Sequence, residues 1–411
     1  MPERVSVARA YPSDDDVRAE YQAIVEGHRR TGPRGNLLFM VSTADLSAGR
    51  GDLYVGLGLA RGLSKAGWGV SLWPTERMTE ETPDDIDVAI VMVESFVPGL
   101  VHERTHVIAW VRNWADEWAK LPYLDRFSQL WCSSQASADR MADVFDGPIH
   151  VVPLGTDTEL FRPRPIERTE EVVTTANYWG VARGLTAALE SLATKARVTW
   201  FGANSKYLQF QGPITHRDAI DYFALPWVYS QWLIVIDDVI PSAALYGNQN
   251  SRLFDALASG AIVISNESRG LTDLALDEVP AYSDPLDLAA IVGRLLADPA
   301  GTAATAARLG ALVRERHSYD ARAAAATGML EAAIASGAPP ARSALLRWAT
   351  LQREELRSME IERSDWRTRF FDTQGDSESA RKAVEEIRAS RTYKAGRMVT
   401  GPIRAIRRKG D

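Results

Sequence analysis

Ten short runs of mostly apolar residues, none longer than seven positions, recur along the chain with helix-length sequence between them. A strand with one solvated face alternates in polarity, whereas a strand covered on both faces by helices has no need to. The six runs of the first series are NLLFMVS (36–42), VSLWP (70–74), VAIVMVE (88–94), HVIAWVR (106–112), LWCSS (130–134) and HVVPL (150–154). Four more follow at 171–177, 198–202, 233–237 and 261–265. They read as parallel strands of an α/β fold. After the first run comes a polar loop containing Gly49 and Gly51, and then Leu53, Leu57, Ala60 and Leu63 at three- and four-residue intervals, so the chain opens on a strand, glycine loop, helix and strand.

The Pro-rich stretch FRPRPI (161–166) divides the two series and reads as an extended hinge. The economical architecture is therefore two doubly wound Rossmann-like domains, 36–160 and 161–335, facing a cleft. A helical lead-in occupies 1–35, where Ser13 and three aspartates mark a helix start and Gly32 to Gly35 a break. Residues 336–411 turn rich in Arg, Glu, Ala and Leu and read as a helical extension with a basic tail. At 411 residues the chain is too long for a small binding module, and with 45% hydrophobic residues it is not a disordered one. Its single cysteine, Cys132, excludes a disulfide framework, and its six histidines fall in no zinc-binding spacing. No signal-like or membrane-spanning segment stands out, which points to the cytoplasm.

The net charge of −7 conceals an asymmetry: residues 388–411 carry +7 and the rest −14. An acidic body is unsuited to nucleic acid, so the tail, in which Tyr393, Met398, Val399, Ile403 and Ile406 alternate with cations, is expected to dock on an anionic membrane surface.

Chemistry concentrates in NQNSRLFDALASGAIVIS (248–265). Asn248 or Asn250 caps a helix whose first-turn amides, from Asn250 and Ser251 onward, offer a phosphate site. Arg252 adds a fork of donors, and Asp255, one turn later on the same face, suits the hydroxyls of a ribose. For Arg252, a surface ion pair with Asp255 competes evenly with phosphate binding. Gly49 and Gly51 allow a backbone to approach a ligand closely. Arg112 and Asn113 end a core strand at the cleft edge, where catalytic and structural roles stand level. Trp110, Trp114 and Trp118 suit core or lid packing before sugar stacking, His102 and His106 read as loop residues, and Asp237 with Asp238 as helix caps.

The 248–265 segment resembles the "E-A-x-A-x-G" helix of family 4 glycosyltransferases and their spore-coat relatives, with Asp255 at the position of the ribose-binding Glu. VVPLGTDTELFRP (151–163) is similar to the family's inter-domain signature, and the 51–70 segment to its first glycine loop and helix. The resemblance, over about residues 36–330, implies the GT-B fold, a nucleotide-sugar donor on the second domain, a glycan or lipid-linked acceptor on the first, and no required metal or other cofactor. It implies transfer to a hydroxyl of a cell-surface glycan with retained configuration. The family's second Glu would fall at Gly247 and is missing. Its basic pair on the first loop of the second domain would fall at Asn177 and Arg183, of which only Arg183 keeps the charge. Two rivals remain: a sugar-nucleotide 2-epimerase, and a GT-B subunit that serves as a non-catalytic scaffold.

Overall fold

All ten runs fold as strands, and the chain shows eleven among its described residues. The computed structural model describes residues 11–177, 184–203, 212–353 and 359. The first sheet contains β1 (Asn36–Val41), β2 (Gly69–Pro74), β3 (Val88–Val91), β4 (His106–Val111), β5 (Gln129–Cys132) and β6 (Ile149–Val151). Its order is β2-β1-β3-β4-β5-β6, parallel throughout. Both faces are apolar, as the unbroken hydrophobic runs require. Leu37, Phe39, Val41, Ile90 and Trp110 enter one core, and Leu38, Met40, Val91, Ala109 and Val111 enter the other.

The second sheet contains β7 (Glu170–Thr175), β8 (Val198–Phe201), β9 (Ile214–Arg217), β10 (Trp232–Ile236) and β11 (Ile262–Ile264), in the parallel order β11-β10-β7-β8-β9. Both sheets are doubly wound. The strand order reverses beside β1 in one and beside β7 in the other, and open sheets of this kind bind ligands outside the carboxyl ends of the strands at such points.

The lead-in helix Asp14–Val25 begins with a capping box, Ser13 with Asp16. It ties the two domains together: Arg18 pairs with Asp221 at 3.1 Å, Asp14 with Arg164 at 2.6 Å, and the Tyr21 hydroxyl donates to Asp157 at 3.0 Å. The helix Tyr319–Ala335 leaves the second domain and packs on Gly51–Lys65 of the first, where Gly58 and Gly62 make room for it: a Cβ at Gly58 would lie 2.3 Å from the Tyr319 ring. The chain up to Thr350 is one unit. The unit Leu351–Asp411 is helical at 351–353 and 359, and the basic tail, 388–411, lies outside the described residues. Among the described residues no helix is long and apolar enough to cross a membrane.

Candidate functional site

Asp255 lies in the helix Ser251–Ala258, which follows β10 beside the point where the second sheet reverses its order. Leu253, Phe254, Ala256 and Leu257 bury that helix in the core and hold Asp255 at 4% exposure, in the lining of a cleft of about 160 Å³. Gly49, Gly51, Tyr54 and Val55 supply the first domain's wall; Thr175, Asn177, Gly202, Tyr222, Tyr229, Ser251 and Arg252 supply the second's. Six residues singled out from the sequence, Gly49, Gly51, Asn177, Ser251, Arg252 and Asp255, thus meet around one space. A larger hollow, lined by Thr82, His102 and Arg342 among others, lies near the amino end of β4 and away from these strand ends.

The Thr156 hydroxyl donates to Asp255 Oδ1 at 2.6 Å. Burial pushes the Asp255 carboxyl well above the ordinary carboxylate range, against the pull of the Thr156 hydrogen bond. Burial likewise raises Tyr222, Tyr229 and Tyr319, so the surrounding phenols stay protonated. A buried carboxyl among hydroxyls is suited to gripping a diol, and doing so as an acceptor favours its ionised form.

Asn250 takes the N-cap position of this helix, but its side chain does not cap it. Its Nδ2 donates instead to Asp237 Oδ1 at 3.0 Å and to the Asp238 carbonyl at 2.9 Å. The open first turn is left to a ligand or to water.

Arg252 departs from the expected ion pair. Its ion-pair partner is Asp237, at 2.5 Å, and not Asp255; Asp238 stands at 3.5 Å, and Nε and Nη2 donate to the Thr175 carbonyl at 3.1 and 2.6 Å. With most of its donors committed, it braces β7 against β10. Asp237, fully buried, therefore anchors Arg252 and Asn250 where a helix cap was expected.

Asn177 Oδ1 accepts from the Ala203 amide at 2.9 Å, which ties the loop after β7 to the loop after β8. Arg183 lies outside the described residues. Gly49 has φ +60°, and a Cβ at Gly49 or Gly51 would meet nothing within 4 Å, so both border open space. Arg112 and Asn113 do not line the cleft. Arg112 Nη2 donates to the Met92 carbonyl at 2.8 Å while its buried Nε has no partner. Burial lowers its pKa, against the attraction of Asp52 and Glu94. Trp110 and Trp118 are core residues. Trp114, 40% exposed, adopts φ +58°, a left-handed conformation uncommon for a bulky side chain. His106 is the first residue of β4 and not a loop residue.

Four contributors escaped sequence reading. Thr156 lay inside the quoted 151–163 signature and Tyr54 inside the glycine-loop segment, so both were within view. Tyr222 and Tyr319 had no local signal. The Tyr54 and Tyr222 rings stack across the cleft at 3.8 Å, nearly parallel at 12°.

Gly247, where the family resemblance places a second Glu, is conformationally constrained. Gly247 has φ +68°, and a Cβ there would lie 3.1 Å from the Gly270 amide; a Cβ at Gly270 would lie 1.7 Å from the Gly247 carbonyl. Two backbones touch where a glutamate side chain would have to start.

Residues 183–328 match the family model described as glycosyl transferase-like. No curated protein matches the chain by sequence. Among solved structures, the sucrose-phosphate synthase of Thermosynechococcus elongatus is similar over 73% of this chain and 100% of its own, with a TM-score of 0.57 at 14% identity. Anabaena HepE in complex with UDP-glucose is similar over 72% and 99%, at 0.54 and 12%. The T4 phage β-glucosyltransferase is similar over 72% and 99%, at 0.51 and 11%. The fold is GT-B: two Rossmann-like domains on parallel sheets, followed by a helical C-terminal region.

Proposed function

We propose that the protein is a glycosyltransferase that moves a sugar from a nucleoside-diphosphate sugar to an acceptor hydroxyl. The observation that carries this reading is the buried Asp255 carboxyl beside the open first turn of its own helix, at the cleft between the two domains. In this reading the Asp255 carboxylate holds the ribose, and the amides at Ser251 and Arg252 face the diphosphate. Negative charge gathers on that diphosphate as the anomeric bond breaks, so amides and cations aimed at it favour the transition state over the ground state. Arg183 is the cation assigned to that task; Arg252 acts by holding the β7 and β10 ends in place. The wider GT-B likeness and the family match over 183–328 support a sugar donor, and the UDP-glucose bound by Anabaena HepE makes a uridine nucleotide the first to try.

The finer reading is retention of configuration, with the departing phosphate taking the acceptor's proton, and a glycan or lipid-linked acceptor on the first domain near Arg112, Asn113 and Trp114. It invokes no metal. It includes a cytoplasmic enzyme of the spore-coat branch, held at an anionic membrane by its basic tail. Gly247, where the family carries Glu, favours a second reading, a nucleotide-binding scaffold without turnover. Incubation with UDP-, GDP- and ADP-sugars and assay of released nucleoside diphosphate tests the first against the second. Binding without release would leave the scaffold, and neither binding nor release would sink both.

A further inference from the structure

Gln249 is 6% exposed, and neither its Oε1 nor its Nε2 has a hydrogen-bond partner among the described residues. A buried carboxamide with both ends unsatisfied is rare in a native fold, because each end forfeits its hydration with nothing in return. The loop that carries it is pinned on either side. Asn248 Oδ1 accepts from the Ser133 and Ser137 hydroxyls of the first domain at 2.7 and 3.0 Å. Asn250 Nδ2 donates to Asp237 Oδ1 and the Asp238 carbonyl, just past the end of β10. Gln249 therefore sits where the two domains meet, immediately before the uncapped turn of the Asp255 helix. Gly270 approaches from the far side, where a Cβ would lie 3.0 Å from Nε2. The amide is held in place without being used.

We propose that Gln249 binds the transferred sugar and sets donor specificity. This rests on the nucleotide-sugar reading above and adds to it the group that touches the sugar. A carboxamide presents one acceptor and one donor edge side by side, so adjacent hydroxyls of a pyranose match it: one donates to Oε1 and the other accepts from Nε2. A site built to pair with hydroxyls rejects ligands that lack them, since its own polar groups then stay unpaired.

The test compares donors with and without the sugar. Binding of UDP, GDP and ADP and of their glucose conjugates is measured by calorimetry for the wild type and for Gln249→Met, which keeps the length and removes both polar atoms. The expected result is that the variant binds the conjugate about 10-fold more weakly or worse, while its affinity for the matching diphosphate changes less than about 2-fold. Its melting temperature should hold or rise, because an unsatisfied amide has been removed. Equal weakening of both ligands, or of neither, would overturn the proposal. A wild type that binds none of the six probes would instead sink the nucleotide-sugar reading and this inference with it. Gln249→Ala gives the same comparison if the methionine variant does not fold.

Discussion

Replacing Asp255 with Asn probes the site at its centre, and the structure fixes the sign of each effect. The carboxyl is 4% exposed, and burial, helped by the nearby Asp157 and opposed by the Thr156 hydroxyl and the Arg252 cation, lifts its pKa well above the ordinary 3.8. In the empty protein it favours its proton; holding two ribose hydroxyls as acceptor favours the ionised form. Nucleotide binding should therefore release protons, and affinity should climb as pH rises toward the pKa of the empty site. The same shift acts on folding in the opposite sense. An acid whose folded pKa is raised holds its proton more tightly in the native state, so its contribution to stability is greatest near the unfolded value and is lost as pH rises through the folded one, by up to about 1.4 kcal/mol per pH unit. Asn keeps an acceptor for Thr156 and has no proton to lose, so the variant should melt at the wild-type temperature or above it at pH 8. Its nucleotide affinity should fall about 10- to 150-fold, the equivalent of one hydrogen bond to a charged acceptor at about 1.5–3 kcal/mol. Calorimetry in two buffers of different ionisation enthalpy, from pH 6 to 8, reads affinity and proton release together. Wild-type affinity in the variant, or binding by the wild type with no proton released, would refute the reasoning.

Other perturbations separate bracing from binding. Arg252→Ala strands the fully buried Asp237 and should cost about 3–5 kcal/mol in urea unfolding; a variant of normal stability with reduced turnover would return Arg252 to the diphosphate. Arg61, 3% exposed, pairs with Glu20, with Asp157 at 3.0 Å and with Glu159 at 2.5 Å, so Arg61→Met should cost a similar amount by the same measurement. Gly247→Glu should lower stability by about 1–3 kcal/mol and leave sugar transfer no faster, which a melt and a release assay would check. For the tail, the full chain should sediment with anionic vesicles at low salt more than a chain ending at Ala389 does, and equal binding by the two would remove membrane docking.

The fold was legible wherever burial dictated composition. A parallel strand covered on both faces must be apolar throughout, so the ten apolar runs declared themselves, three of them (β2, β6 and β11) even at sheet edges. β9 did not: ITHR at 214–217 is an edge strand, half-exposed at alternate positions, with a histidine and an arginine in four residues. The helix Tyr319–Ala335 was read with the second domain, because sequence order gives no sign that it crosses back; the cue lay in Gly58 and Gly62 of its partner, which reads as ordinary helical glycine until Tyr319 is placed against it. At the site, residues that act through their backbone or local helix position, Gly49, Gly51, Ser251 and Asp255, were found. The ion pair of Arg252 was misplaced because its partner, Asp237, is fifteen residues earlier on another element. Trp110 and Trp118 share the spacing of Trp114, but the first is on a strand and the last on a short helix, so a four-residue interval carried no helical meaning there.

The same distinction bears on the absent second carboxylate. Gly247 at the position where the resemblance places Glu reads in sequence as one absent side chain. In the fold it is one half of a contact: the Gly247 carbonyl excludes a Cβ at Gly270, while a Cβ at Gly247 would carry a left-handed backbone and lie 3.1 Å from the Gly270 amide. A glutamate at 247 would have to hold that left-handed backbone and displace the segment at 269–270 by a few tenths of an ångström. Any contact with the transferred sugar from this loop has to come from a side chain the contact leaves room for. Asn248 Oδ1 is taken by Ser133 and Ser137, which leaves its Nδ2 alone without a partner, and Asn250 is taken by Asp237 and Asp238. Gln249, between them, is the residue that keeps both an unpaired acceptor and an unpaired donor.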